Sequence, residues 1–113
     1  MKCQKNRKVN IMTLEEKEKA IIDNYGLMEQ LKYWFTEIAE LTIALTKYQY
    51  GVGSKEEVKG EIADVDMMLN QFRVALEILK KEVEDIKEFK ADRQLKRIEE
   101  ERKQKIKLFK KGK

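Results

Sequence analysis

From Leu27 to Tyr50, apolar side chains return every three or four positions: Leu31, Trp34, Phe35, Ile38, Leu41, Leu45 and Tyr48. That is the period of an α-helix, sustained over several turns with no helix breaker inside it. Gly51-Val52-Gly53 ends the run, and Ser54-Lys55-Glu56-Glu57 has the S-x-x-E form of a capping box that opens the next helix. A second periodic run follows, through Val58, Ile62, Val65, Met68, Leu69, Phe72 and Leu76. Two amphipathic helices joined by a short glycine turn fold back on one another, so the spacing predicts an antiparallel hairpin over residues 27–50 and 54–80. The alternation that a strand requires is absent there.

The rest of the chain agrees with an all-α fold. It has no proline and five glycines among 113 residues, and 41% of its residues are charged. Thr13-Leu14-Glu15-Glu16 is another capping box, and it opens a short helix that ends near Tyr25-Gly26, with Leu14, Ala20, Ile21 and Ile22 expected inward. Beyond Leu76 the apolar pattern continues through Leu79, Val83, Ile86 and Phe89 into a charged segment, with no loop signal to place a break. The expected organisation is a basic arm over 1–12, an all-α domain over 13–90 and a basic helical tail over 91–113. One hairpin and one short helix cannot cover both apolar faces, so the bundle is expected to be completed by a second copy, as a dimer or a tetramer.

Absences exclude whole classes of chemistry. The chain has no histidine, which removes Ser-His-Asp and Cys-His nucleophile schemes and every imidazole metal ligand. Its one cysteine, Cys3, permits neither an intrachain disulfide nor a four-thiolate zinc site, and a lone thiol suits a reducing, cytoplasmic setting. No apolar run approaches the roughly 20 residues of a membrane span, and Met1–Met12 lacks the apolar stretch of a signal peptide. The net charge of +4 hides a division: residues 13–91 hold 11 Lys+Arg against 17 Asp+Glu, and the two ends are strongly basic.

Within that acidic body, two carboxylate pairs stand apart from the others. Glu37-x-x-Glu40 and Glu61-x-x-Asp64 each place two acids on one helical face. Glu37 and Glu40 are the only charged residues between Lys32 and Lys47, whereas ordinary surface stretches such as Glu82–Lys90 mix both signs. Acids without basic neighbours, set among apolar residues, call for a cation, because unpaired charge is costly to bury. Glu40 lies about ten residues before the glycine turn and Glu61 about seven beyond the start of the next helix, so at about 1.5 Å per residue the pairs stand at similar heights and face each other. Four carboxylates with no nitrogen or sulfur donor suit Mg²⁺, or Mn²⁺.

The arrangement resembles the MazG-like all-α nucleoside triphosphate pyrophosphohydrolases, and within them the small phage-type members. The residues that carry the likeness are Tyr25-Gly26, Gln30, Glu37-x-x-Glu40-Leu41, Lys47-Tyr48 with Gly51, and Glu61-Ile62-Ala63-Asp64-Val65 with Met68-Leu69-x-Gln71, over about residues 20–75. The resemblance implies a MazG-like helical architecture and Mg²⁺-dependent hydrolysis of a nucleoside triphosphate, or its deoxy form, to the monophosphate and pyrophosphate. It also implies Glu37, Glu40, Glu61 and Asp64 as metal ligands. The family often writes its first motif E-E-x-x-E, and here the first of those positions is Thr36. A lysine, an asparagine and an arginine on the family's last helix correspond to Lys90, Gln94 and Arg97, with glutamine replacing asparagine.

Such chemistry needs in-line geometry and charge neutralisation, not a histidine. Glu37 and Glu40 are the candidate catalytic bases, between which the sequence does not choose. Lys47, seven residues past Glu40 on the same face, is placed to meet a phosphate, and Gln30, Tyr33 and Trp34 to meet a base, although Trp34 also fits the core. Gly60, inside a helix, leaves room for a neighbour or a ligand. The alternative reading is a non-enzymatic helical interaction module whose basic end binds nucleic acid. Its seam is interrupted by Lys90 and Arg93, and the end lacks an aromatic stacking set, so nucleic acid is not the expected partner.

Overall fold

The computed structural model describes residues 11–112. Most of the arm expected over 1–12 therefore lies outside the described residues. Among the described residues four helices are bounded in chain order: α1 (Leu14–Tyr25), α2 (Leu27–Gln49), α3 (Lys55–Ala75) and α4 (Lys80–Lys111). Among the described residues there is no strand, and no helix is long and apolar enough to cross a membrane. The chain divides into two compact units after Ile78, the first holding α1–α3 and the second α4.

In the first unit α2 and α3 form the hairpin, and α1 packs mainly on α3. Thr13 opens α1 with both halves of the capping box: its Oγ1 accepts from the Glu16 N–H at 3.1 Å, and its own N–H donates to the Glu16 carboxylate. Ser54 caps α3 through the Glu57 N–H alone, leaving the Glu57 carboxylate for other surroundings. Gly26 ends α1 and begins α2 at φ 81° and ψ 159°, a region only glycine occupies without strain. Gly51, at φ 76°, closes α2 in a Schellman motif: the Val52 N–H donates to the Lys47 carbonyl and the Gly51 N–H to that of Tyr48.

The same motif ends α3, where the sequence offered no break. The Ile78 N–H donates to the Arg73 carbonyl at 2.9 Å and the Glu77 N–H to that of Val74 at 3.1 Å. The left-handed position is filled by Glu77 at φ 57° in place of a glycine, so the customary stop signal is missing. Arg73 secures the turn by donating from Nη1 to the Ile78 carbonyl. The hairpin's second arm thus stops at Ala75, short of residue 80, while positions 90 and 91 lie inside the uninterrupted helix α4.

The core is small. Ile22, Ala44, Val65 and Met68 are its buried apolar residues, and Trp34 meets Phe72 edge-on with ring centroids 5.3 Å apart. Leu14 and Ala20, expected inward, are exposed. The buried residues of α1 are Ile22 and Glu18, the latter 2% exposed, whose Oε2 accepts from Asn70 Nδ2 at 3.0 Å. Phe35, Leu45 and Tyr48 are exposed as well. The helix α2 carries two apolar faces, and α3 covers only the one bearing Trp34, Leu41 and Ala44.

Glu77→Gly is expected to stabilise the protein by about 1 kcal/mol, the strain of a side chain in the left-handed region. Gly26→Ala is expected to lose about 1–3 kcal/mol. Thermal melts of both variants check the pair.

Candidate metal centre

The register of the hairpin is set by an amide pair. Gln30 Nε2 donates to Gln71 Oε1 at 2.7 Å, and Gln71 is 3% exposed. In antiparallel helices each step along one arm is matched by a step back along the other. Glu37 and Glu40, seven and ten residues after Gln30, therefore meet Asp64 and Glu61, seven and ten residues before Gln71. The geometry bears this out: one carboxylate oxygen from each of Glu37, Glu40, Glu61 and Asp64 lies within 4.8 Å of all the others.

Two of the four, Glu37 and Glu61, are half-buried, and the other two are exposed. Glu37 Oε2 and Glu61 Oε2 are shielded from solvent and have no hydrogen-bond donor. Leaving a buried acceptor unpaired costs roughly 1–3 kcal/mol in general, so these two oxygens have room to accept a proton or a cation. Burial, followed by the charges of Glu40, Asp64 and Glu61, holds the Glu37 carboxyl above its ordinary value. Glu61 is raised by burial first, then by the charges of Glu40 and Asp64, by a side-chain hydrogen bond with Glu40, and by the charge of Glu57. The donor set is all oxygen, which fits a hard divalent ion such as Mg²⁺.

Beside the quartet, towards the turn, runs a groove of about 470 Å³ lined by Glu40, Ala44, Lys47, Glu57, Gly60, Glu61 and Asp64 among others. Lys47 is thereby brought to the same groove as three of the four acids. A Cβ built on Gly60 would meet nothing within 4 Å, so among the described residues no neighbouring helix packs on this glycine and the space over it is open. Gln30 and Trp34 have partners inside the chain, Gln71 and Phe72, and Tyr33 is exposed. Lys90, Gln94 and Arg97 are exposed on α4, in the second unit.

Sequence reasoning missed Glu18 and the register role of Gln71. Glu18 falls four residues from both Leu14 and Ile22, so the helical period does place it inward. A carboxylate at that position reads as surface until its partner Asn70 is known.

The raised carboxyls carry a definite sign. Between the ordinary value of 4.5 and the raised native values, the folded chain holds more protons than the unfolded one. Without metal, the contribution of Glu37 and Glu61 to stability is thus fully present below about pH 4.5 and is lost as pH rises through the native values. Glu61→Gln is expected to flatten this slope and to leave metal-free stability at pH 7 equal or higher. Chemical denaturation in EDTA across pH 4–8 measures both.

Comparison of the chain with family models, with curated proteins and with solved structures returns no match.

Proposed function

We propose that this protein is a Mg²⁺-dependent nucleoside triphosphate pyrophosphohydrolase of the MazG-like all-α type. The observation that carries the reading is the convergence of Glu37, Glu40, Glu61 and Asp64 from two helices, with two orphaned buried oxygens, beside a groove that also holds Lys47. The motif resemblance over residues 20–75 supplies the reaction class.

In this reading the four carboxylates hold Mg²⁺, with Mn²⁺ as a substitute. Bound there, the ion supplies charge neutralisation at the phosphates and a more acidic water. Glu37 or Glu40 accepts the proton of the attacking water. Lys47 binds a phosphate oxygen as a point charge, and the space over Gly60 lets the phosphates approach the α3 backbone. Gln30 and Trp34 shape the far end of the seam through Gln71 and Phe72. The resemblance implies substrate contacts for Lys90, Gln94 and Arg97 as well.

The working form is an oligomer, a dimer or a tetramer. Met28, Leu31, Phe35, Ile38 and Leu45 recur along the outer face of α2 at heptad-like spacing, and all are exposed, Phe35 by 76%. A stripe of that kind is a helix-packing surface without its helix.

A saturating metal should stabilise the fold, by about 2.7 kcal/mol at 100 times its Kd, a rise in Tm on the order of 10 °C for a domain of this size. Glu61→Gln is expected to abolish both that rise and pyrophosphate release from a panel of NTPs and dNTPs. Glu82→Gln, in the mixed-charge stretch, is expected to change neither. Full activity of Glu61→Gln, or a wild type indifferent to Mg²⁺, would set the enzyme reading aside in favour of a helical interaction module. Light scattering at micromolar concentration is expected to give at least a dimer, and a monomer alone would contradict the assembly.

A further inference from the structure

The last three turns of α4 have a charge pattern that the proposed reaction leaves unused. Six of the ten residues from Arg102 to Lys111 are Lys or Arg, and none is acidic. All ten are exposed in an unbroken helix. Among the described residues the one ion pair of this block joins Lys103 to Glu99, at 3.5 Å. The helix dipole does not account for the block, because its effect is confined to the last turn, where Lys110 and Lys111 stand.

Three candidate partners differ in what they require. A bilayer surface requires apolar side chains gathered on one face. Ile106, Leu108 and Phe109, all exposed, spread over roughly 160° of the circumference, and Arg102 and Lys105 fall between them, so they form no clean apolar face. A second α4 offers little counter-charge: a parallel copy sets the six cations against six more, and an antiparallel copy presents Lys80–Phe89, where four acids stand with three lysines, a net charge of only −1 against six cations. A DNA duplex fits on both counts. The cations surround the helix, as a major groove about 12 Å wide, walled by phosphates on both sides, demands of a helix about 10–12 Å across. Ten residues span about 15 Å, alongside which B-DNA carries about nine charges at one per roughly 1.7 Å.

We infer that Arg102–Lys111 of α4 is a sequence-independent binding element for double-stranded DNA, seated in the major groove and held by phosphate contacts. The inference is independent of the pyrophosphohydrolase reading, which uses no residue of this block. It reverses the expectation from sequence, which looked for aromatic stacking; duplex backbone binding needs none.

The test is fluorescence anisotropy of the full-length protein with a labelled 20-base-pair DNA duplex of arbitrary sequence, in EDTA. Six phosphate contacts should make the affinity fall about 10³-fold between 50 and 200 mM salt. Lys105→Glu/Lys107→Glu/Lys110→Glu is expected to weaken binding at 50 mM salt by at least about 100-fold, with circular dichroism showing the helix intact and pyrophosphate release unchanged. Lys80→Glu/Lys81→Glu/Lys87→Glu, an equal charge change at the other end of α4, is expected to stay within about fivefold of wild type. Any of four results would overturn the inference: no duplex binding at 50 mM salt, undiminished binding by the first variant, equal binding of double-stranded RNA, whose major groove excludes a helix, or sedimentation with phosphatidylserine vesicles in place of DNA binding.

Discussion

Four carboxylates brought within 4.8 Å of one another repel, and that repulsion is the constraint around which the first unit is organised. Left to themselves, the arms of the hairpin would separate at this point. The chain holds them with contacts on either side: the Gln30–Gln71 amide pair and the Trp34–Phe72 ring contact away from the turn, and Ala44 with the Gly51 Schellman turn towards it. Among the described residues a buried core of four apolar side chains gives little surplus against such a load. The orphaned oxygens of Glu37 and Glu61 are thus a local deficit that the rest of the unit sustains, one that a bound cation could relieve.

The position of each acid follows from the turn and the register. Gly51 ends α2 two residues after Gln49, Ser54 begins α3 at Lys55, and the antiparallel pairing then matches residue numbers on the two arms with a nearly constant sum. A slip of one residue would rotate an acid by about 100° away from the seam. The amide pair at the opposite end, seven residues from the nearer acids on each arm, opposes that slip by losing a part-buried hydrogen bond. Gln30 and Gln71 act on the site as positioning residues.

The hairpin and the acid pairs were legible because their signals are local. Helical periodicity, two glycines at a turn and a capping serine suffice to place Glu37 and Glu40 against Glu61 and Asp64. What escaped depends on partners distant in sequence or on a residue filling an unaccustomed role. The end of α3 is closed by Glu77 in the left-handed region, supported by Arg73, and no residue type there announces a stop. Glu18 is buried because Asn70, 52 residues away, meets it. The two apolar faces of α2 overlap in three- and four-residue steps on a helix rich in apolar residues, so the sequence pattern does not separate them. Only the packing of α3 separates the covered face of Trp34 and Ala44 from the uncovered face of Phe35 and Leu45. The metal, the substrate and the assembly lie outside the folded chain, and for these the resemblance supplies the expectation and the site geometry its support.

The central claim is that the four carboxylates form one cation site, and the most direct measurement is Mn²⁺ uptake followed by the loss of the free-ion signal in electron paramagnetic resonance. The account expects saturable uptake that strengthens as pH rises past the raised Glu37 and Glu61 carboxyls, because metal and proton compete there. Uptake should be lost in a Glu37→Gln/Glu61→Gln variant and retained in Glu15→Gln/Glu16→Gln, which removes two acids from the first turn of α1. An absence of saturable uptake in the wild type, or uptake that the Glu37→Gln/Glu61→Gln variant keeps in full, would contradict it.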